Sequence, residues 1–411
     1  MPKQVSIMGH KEFIALMAIL MSVVAISIDA LLPALGIIGR DLQVSHPNQA
    51  QYVISAIFIG LALGQLISGP LSDALGRKKV LFIGLSLYLL GSVICISADG
   101  IETMLVGRFI QGLGVAGPYL SVMSIVRDKY SGTAMARIMS LVMMVFMMVP
   151  ILAPALGQLI LFVANWKGIF AVYIFYAICV ATWAFWRLEE TLRPENTVPF
   201  KISNIVKGTM TVLTNKTTLC YTLAIGFIFG ALIGDLNSIQ QIFQGKYAVG
   251  DLFAVYFGLQ ALAFGVASFT NSHLVERLGM RRLCLTGAAT IVTASIALFI
   301  YSCFMSPPFA LFFVYGVVIL FCFGIMFGNL NAIALEPMGH IAGLASAIVG
   351  ATSSIIGIVL GTIIGQLYDG TLNPLILGFL ILGSLAFIMM YVEKSAHTRQ
   401  QSAELAEEQA S

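Results

Sequence analysis

Long apolar stretches separated by short polar segments run along nearly the whole chain. Twelve of them reach the length of about 20 residues that an α-helix needs to cross a bilayer. A transmembrane β-barrel would instead alternate apolar and polar residues in runs of about ten, and the chain has no such runs. The pattern predicts an all-α polytopic membrane protein with twelve transmembrane helices. The predicted spans are residues 13–38, 50–69, 80–98, 103–126, 137–163, 168–186, 218–243, 251–272, 283–303, 309–335, 343–367 and 374–392.

The composition agrees with this pattern. Hydrophobic residues make up 59% of the 411 residues and charged residues only 10%, against about 25% charged residues in soluble domains. The first apolar stretch follows Lys11, as in a signal peptide, but continues through Asp29 and Pro33 without a small-residue cleavage site. We therefore expect it to be the first of the twelve spans.

The distribution of Lys and Arg predicts the orientation, because these residues concentrate in cytoplasmic loops. With the N-terminus inside, only three lie on the outer side: Arg40, Lys167 and Lys246. The inner side holds eighteen: Lys3, Lys11, Arg77, Lys78, Lys79, Arg127, Lys129, Arg137, Arg187, Arg193, Lys201, Lys207, Lys216, Arg277, Arg281, Arg282, Lys394 and Arg399. We therefore expect both termini to be cytoplasmic.

The charged turn from Gly69 to Lys79 has a weaker copy at Ser272 to Arg282, 203 residues later. Such a repeat in a membrane chain indicates the internal duplication from which many transporters are built. A polar break after the sixth span separates the two copies. The sequence predicts two pseudo-symmetric six-helix bundles in this arrangement: an N-terminal bundle at 1–186, a cytoplasmic linker at 187–217, a C-terminal bundle at 218–392 and a cytoplasmic tail at 393–411.

The sequence gives no sign of a metal, a cofactor or an enzymatic centre. The six cysteines lack CxxC spacing and the five histidines lack metal-ligand spacing. The run Gly112-Leu-Gly114-Val-Ala-Gly117 matches GxGxxG, but it lies inside an apolar span with no preceding strand, which predicts close helix packing rather than dinucleotide binding. The net charge of +3 reflects topology, so no nucleic-acid partner is expected.

Three ionisable residues fall well inside predicted spans: Asp29, Arg108 and Asp235. A charge at the bilayer centre costs about 2.5–3.5 kcal/mol on insertion scales, so such residues usually face a cavity or a partner. Asp29 and Arg108 lie at depths that allow them to approach each other in the N-terminal half. They predict either a proton-coupling pair or a fixed ion pair that holds spans one and four together. Asp235 lies in the corresponding position of span seven. The sequence leaves three alternatives for it: a second proton site, a contact for a cationic substrate, or a hydrogen-bonded acid near the outer mouth.

Two motifs resemble those of the major facilitator superfamily. The run from Gly69 to Leu81 is similar to the loop motif of that superfamily. Arg108, with Gln111 and Gly112, resembles its fourth-span motif, whose arginine is associated with proton coupling.

Three further motifs resemble those of drug exporters within the superfamily. Ala153-Pro154-Ala-Leu-Gly157 is similar to the motif of drug–proton antiporters, with Ala153 where glycine is usual. Asp29-Ala-Leu-Leu-Pro33-Ala-Leu resembles the first-span motif of the Bcr/CflA group of twelve-helix exporters. Glu336-Pro-Met-Gly-His340-Ile-Ala-Gly343 resembles the signature of that group before span eleven. The five motifs together extend over essentially the whole chain.

The loop motif also has a direct physical interpretation. Gly69 is expected to permit tight packing where span two ends, and Gly76 to allow a sharp turn. Asp73 can accept hydrogen bonds from a helix N-terminus or from Arg77, contacts to be made and broken as the halves move. The alternative is a static turn whose charges only set topology.

The resemblance implies an inner-membrane secondary transporter that exports small organic compounds, drugs among them, in exchange for protons by alternating access. Its partners would be the substrate, protons and the lipid bilayer, and we expect it to work as a monomer. The alternatives are an exporter of an endogenous metabolite or siderophore, or a proton-coupled importer. The implied functional residues are Asp29 and Arg108 for proton coupling, Gly69, Asp73, Gly76 and Arg77 for the conformational switch, and Pro154 and Gly157 for the antiporter motif. The candidates for the substrate cavity are Asp235, Gln111, Tyr119, Met123, Met144, Met147, Asn237, Asn329 and Asn331.

Overall fold

A computed structural model describes residues 8–130, 132–192, 197 and 209–410, with side chains except at residues 132, 133, 136, 140, 147, 339–343 and 395–410. Within these residues, twelve helical segments are long and apolar enough to cross a membrane. The twelve segments match the twelve predicted spans in order, so the predicted all-α polytopic fold is confirmed. Nearly half of the predicted linker, at 193–196 and 198–208, lies outside the described residues.

The α-helices are numbered here in chain order. They are α1 His10–Asp29, α2 Leu35–Asp41, α3 Tyr52–Leu75, α4 Arg77–Ile96, α5 Ile101–Lys129, α6 Gly132–Val163, α7 Lys167–Arg187, α8 Lys216–Gln240, α9 Phe253–Leu278, α10 Met280–Phe304, α11 Phe309–Leu335, α12 Ala342–Gln366 and α13 Asn373–Ala410.

Two spans differ from the prediction in detail. The first predicted span, 13–38, is not one continuous helix: α1 ends at Asp29, a 3-10 turn at Leu32–Ala34 follows, and α2 begins at Leu35. Pro33 lies within that turn, and proline cannot donate the backbone hydrogen bond that would continue α1. At the other end of the chain, α13 continues into the predicted tail as far as Ala410.

The chain divides into two compact units. The first unit comprises Met1–Lys201 with Ala248–Gly258, and the second unit comprises Ile202–Tyr247 with Leu259–Ser411. Their boundary at residue 201 falls inside the predicted linker.

In the first unit, α5 packs closely against both α3 and α4 through glycines. An added Cβ at Gly112 would lie 2.1 Å from the carbonyl oxygen of Ile57 on α3, and one at Gly114 would lie 2.4 Å from the backbone nitrogen of Tyr88 on α4. Such contacts leave no room for any side chain. The glycine run of α5 is therefore a helix-packing surface, as the sequence predicted.

In the second unit, α8 and α12 also pack closely through glycines. A Cβ added to Gly361 would lie 2.5 Å from Cβ of Ile233, and one at Gly357 would lie 2.6 Å from the Phe229 ring. The glycines of these two helices recur every fourth residue, so they form one face along each helix.

Candidate functional site

Asp29 is the last residue of α1, at the point where the first span breaks. It is buried, with 6% of its surface exposed. Among the described residues its carboxyl group has no hydrogen-bond donor and no ion-pair partner. A buried carboxyl group without a partner is uncommon, because buried polar groups are normally hydrogen-bonded.

Arg108 on α5 is fully buried, and its guanidinium group is held by neutral partners. Nε donates to the carbonyl oxygen of Val53 at 3.1 Å, and Nη1 donates to Oε1 of Gln111 at 2.9 Å. The guanidinium carbon lies 6.0 Å from the centre of the Phe170 ring. Nη2 is enclosed and has no partner among the described residues. Arg108 therefore keeps one unused donor in the interior of the first unit.

The structure contains no ion pair between Asp29 and Arg108. The fixed ion pair, one of the two alternatives for these residues, is therefore absent in this conformation, and proton coupling stays a prediction. Two of the three guanidinium nitrogens donate instead to the Val53 carbonyl and to Gln111. The amide nitrogen of Gln111 in turn donates to Ser92 at 2.7 Å. Gln111 thus serves as a buried bridge between α5 and α4, with no exposed surface to offer a substrate.

Hydroxyl groups hold the last turn of α1 in place. The Ser27 hydroxyl donates to the Tyr88 hydroxyl at 2.8 Å, and the Tyr173 hydroxyl donates to the carbonyl oxygen of Ile26 at 3.0 Å. These bonds join α1 to α4 and α7 immediately before Asp29. The position of the carboxyl group is therefore set by two neighbouring helices and not by a charged partner.

The antiporter motif of α6 lies against the break that follows Asp29. A Cβ added to Gly157 would lie 1.9 Å from the carbonyl oxygen of Ala30 and 3.2 Å from Cγ of Pro33. Pro154 lies inside α6, one turn before Gly157. The structure thus brings Asp29, Pro154 and Gly157 of the predicted site to one region.

The predicted switch loop is an ordered network. Arg77 forms ion pairs with Asp73 and with Asp128, the second through Nε at 2.9 Å from Oδ2. The Asp73 side chain is 51% exposed and the Asp128 side chain 21%. Asp128, which the sequence reasoning did not single out, is therefore the better shielded partner. It lies at the end of α5 between Arg127 and Lys129, where its sequence context does not distinguish it from other charged residues of the loops.

Glu190 is the second residue that the sequence reasoning missed. Its Oε1 accepts the backbone N–H of Arg77 at 2.9 Å, and its Oε2 accepts that of Lys78 at 3.1 Å. Of the two partners expected for Asp73, a helix N-terminus or Arg77, the structure shows Arg77. Glu190 holds the N-terminus of α4 instead. The sequence feature that could have pointed to Glu190 is the acidic pair at 189–190, directly after the sixth span.

The two glycines of the loop behave differently. Gly76 has φ +108° and ψ 152°, a conformation that is essentially restricted to glycine, and it forms the turn between α3 and α4. Gly69 needs no such freedom, because an added Cβ there would meet only Cδ1 of Leu120 at 3.9 Å. The expectation of tight packing at Gly69 is wrong in this conformation.

The substrate-cavity candidates of the first unit do not share one surface. Tyr119 and Met123 on α5 are half-buried and pack against the apolar core of the first unit. Met144 on α6 is exposed. The side chain of Met147 lies outside the described residues.

The candidates of the second unit are also dispersed. Asn329 exchanges hydrogen bonds with Asn271, at 2.7 Å and 3.4 Å, and so fastens α11 to α9. Asn331 is exposed and donates to the carbonyl oxygen of Phe327 within its own helix. Asn237 is buried at the packed face between α8 and α12, where Gly365 approaches it.

Asp235 on α8 is buried, with 8% of its surface exposed. Among the described residues its carboxyl group has neither a hydrogen bond nor an ion pair. Tyr315 on α11 is close enough to interact with it electrostatically, but the Tyr315 hydroxyl is bonded to Ser295 at 2.8 Å. Asp29 and Asp235 therefore share one unusual property, a buried carboxyl group without a bonded partner.

Comparison with known proteins agrees with this architecture. A family model described as Major Facilitator Superfamily matches residues 17–362. The chain is 30% identical to the uncharacterized MFS-type transporter YdgK of Bacillus subtilis, over 93% of this chain and 97% of that protein. It is 28% identical to the bicyclomycin resistance protein homolog of Haemophilus influenzae, over 89% and 91% of the two chains. It is 29% identical to the multidrug resistance protein MdtL of Escherichia coli, over 88% and 90%.

A solved structure supports the fold alone. The human organic anion transporter MFSD10 (TETRAN) matches with a TM-score of 0.71 at 14% identity, over 93% of this chain and 99% of that one. The relatives with resistance names agree with the Bcr/CflA resemblance of the motifs at Asp29, Pro154 and Glu336. The superfamily consists of transporters of small molecules and not of enzymes, and this chain belongs to the major facilitator superfamily.

Proposed function

We propose that this protein exports small organic compounds, including antibiotics, in exchange for protons. Two kinds of relative support the export of drugs: one is named for bicyclomycin resistance and the other for multidrug resistance. The distribution of Lys and Arg supports an inner-membrane location with both termini cytoplasmic. The chain lacks a nucleotide-binding motif, which favours the proton gradient as the source of energy.

The observation that carries the proposal is the state of Asp29. Its carboxyl group is buried at a helix break and has no bonded partner among the described residues. An ionised side chain inside a membrane costs about 2.5–3.5 kcal/mol on insertion scales. A proton removes that cost, and so does a cationic or hydrogen-bonding substrate. The same carboxyl group therefore favours either a proton or a substrate, which is the competition that an exchanger needs.

The surroundings of Asp29 couple its protonation to helix packing. Protonation turns an oxygen that only accepts hydrogen bonds into a donor. The residue after Asp29, Ala30, contacts Gly157 of α6 without any intervening side chain. A change at the end of α1 is therefore transmitted directly to α6. Arg108 is fully buried in the same unit, and its Nη2 has no partner among the described residues. We assign it to proton coupling together with Asp29.

Everted membrane vesicles test this function. After an inside-acid pH gradient is established, addition of bicyclomycin or chloramphenicol should release protons from vesicles that contain the protein, and should not do so from vesicles without it. Asp29→Asn should abolish this release while the protein still assembles. Asp99→Asn, which alters an exposed acid in the loop after α4, is the matched control and should keep full activity. Full proton release by the Asp29→Asn protein would contradict the proposed role.

A further inference from the structure

Asp29 and Asp235 occupy the same position in their helices. Asp29 is the last of the 20 residues of α1, which begins at His10. Asp235 lies nineteen positions after Lys216, the first residue of α8, and is therefore also the twentieth residue of its helix. Because α1 and α8 are the first helices of the two repeats, the two acids are counterparts in the duplicated architecture.

Polar side chains of the third and fourth spans also correspond between the two repeats. Ser92 on α4 and Ser295 on α10 are each the sixteenth residue of the third span of their repeat. Ser92 is bonded to Gln111, the bridge to Arg108, and Ser295 is bonded to Tyr315. Arg108 and Tyr315 are the eighth and seventh residues of α5 and α11. In each repeat a serine of the third span is thus bonded to a polar side chain of the fourth span, Gln111 in one and Tyr315 in the other.

The titratable groups around Asp235 are few. α11 carries Tyr315 and Cys322, of which Tyr315 interacts electrostatically with Asp235. α12 has no titratable residue between 342 and 366, and those of α13 begin only at Tyr391. No Lys, Arg or His among the described residues forms an ion pair with Asp235. No described residue therefore balances the charge of this carboxyl group or that of Asp29.

We infer that Asp235 is a second proton site, built into the C-terminal bundle as the counterpart of Asp29, and that one transport cycle exchanges two protons. The inference rests on the proposed proton-coupled export. With 8% of its surface exposed, Asp235 is about as buried as Asp29, to which we assign the first proton site. The carboxyl oxygens of Asp235 are not completely enclosed by the surrounding atoms, so a proton can reach them.

The equilibrium gradient in proteoliposomes measures the number of protons. Valinomycin and potassium clamp the membrane potential to zero, and a pH difference of one unit is then the only driving force on an uncharged substrate such as chloramphenicol. At equilibrium the substrate concentrations on the two sides should differ about 100-fold if two protons are exchanged and about tenfold if one is, because each proton contributes one tenfold factor. We expect about 100-fold for the wild type and about tenfold for Asp235→Asn. Asp369→Asn, an exposed acid bonded to Thr371 in the loop before α13, is the control and should keep the wild-type ratio.

The outcomes separate this inference from the proposed function. A tenfold ratio for the wild type, or an unchanged ratio for Asp235→Asn, would overturn the second site while leaving proton-coupled export intact. A wild type that shows no response to the pH difference would contradict the proposed function itself.

A measurement on the unmodified protein covers the case in which Asp235→Asn does not assemble. Dicyclohexylcarbodiimide reacts with protonated carboxyl groups in apolar surroundings, and mass spectrometry locates the product. We expect modification of Asp235 and Asp29 that decreases with rising pH, and none at Asp369. Absence of modification at Asp235 across the pH range in which Asp29 is modified would refute the second site.

Discussion

The carboxylate of Glu190 caps the first turn of α4 through the backbone of Arg77, whose N–H it accepts at 2.9 Å. The same carboxylate accepts the N–H groups of Lys78, Thr191 and Leu192 at 2.9–3.1 Å. The capped turn begins with three basic residues, at 77–79, although the N-terminus of a helix already carries partial positive charge. Glu190 therefore offsets an unfavourable arrangement of charge and ties the segment after α7 to the switch loop.

Loss of the Glu190 charge should destabilise this junction. Glu190→Gln keeps the size of the side chain but removes the negative charge, and we expect a loss of about 1 kcal/mol, the usual worth of a helix cap. The melting temperature of the detergent-solubilised protein measures it. Glu189→Gln changes the neighbouring acid and should have little effect. Equal effects of the two substitutions would show that the cap does not contribute to stability.

Gly76→Ala should also destabilise the loop, for a reason that concerns the backbone. The φ of +108° costs a non-glycine residue about 1–3 kcal/mol, and the new Cβ would lie 2.5 Å from Oε2 of Glu190. Gly69→Ala lies in the same motif and has room for a Cβ, so it should melt like the wild type. Comparable losses for both glycines would mean that the loop adopts another conformation in the membrane.

The two acids that pair with Arg77 should differ in their importance for transport. Asp128 is the more shielded partner and Asp73 is half exposed, and exposed ion pairs contribute only about 0–1 kcal/mol. We therefore expect Asp128→Asn to slow transport more than Asp73→Asn. Substrate Kd should stay close to that of the wild type in both, because neither acid is among the candidate substrate-cavity residues. The initial rate of uptake in vesicles and equilibrium binding separate the two quantities. A large loss of affinity in either variant would place the loop in the binding site.

Hydrophobic periodicity and motif order were enough to predict the twelve spans, because helices that cross a membrane depend on local composition. They also identified Asp29, Arg108 and Asp235 as buried ionisable residues. The partners of these residues could not be predicted in the same way. Arg108 lies 55 positions from Val53, and Glu190 lies 113 positions from Arg77. Such pairs depend on the rotation and offset of whole helices, and a span pattern carries no information about either.

The end of α1 at Asp29 was not predicted, although the sequence contained a signal for it. Pro33 was visible in the sequence and predicts that a helix stops before it. The hydrophobicity of the segment nevertheless continues through residue 38, and that continuity favoured a single long helix. In the structure the apolar segment continues beyond the end of α1, and the candidate proton carrier Asp29 is the residue at which α1 ends.

Arg108→Lys should impair transport although the charge is kept. The arginine uses two different nitrogens to reach the Val53 carbonyl and Gln111, and a lysine ammonium cannot reproduce this planar fork. Losing one buried hydrogen bond to a charged group costs about 1.5–3 kcal/mol, so we expect at least about a tenfold lower rate of proton-driven transport. Arg127→Lys, at the exposed end of the same helix, is the matched control. Wild-type activity of Arg108→Lys would reduce the role of Arg108 to its charge.

Gly157→Ala tests whether the contact between α6 and the break after Asp29 is needed for coupling. The added Cβ would lie 1.9 Å from the carbonyl oxygen of Ala30, so α1 and α6 must separate. Separation displaces the backbone beside Asp29 and should lower proton-driven transport, with a lower melting temperature. Gly265→Ala on α9 meets open space and is the control for adding a methyl group to a helix glycine.

The ratio of two rates makes this last test specific to coupling. Substrate counterflow without a pH gradient reports movement of the substrate alone, whereas uptake driven by a pH gradient also requires Asp29. If Gly157 serves the coupling of α1 to α6, the driven rate should decrease more than the counterflow rate in Gly157→Ala. If both rates decrease by the same factor, the contact contributes only to packing, and Asp29 must act on transport through its neighbours on α4 and α7.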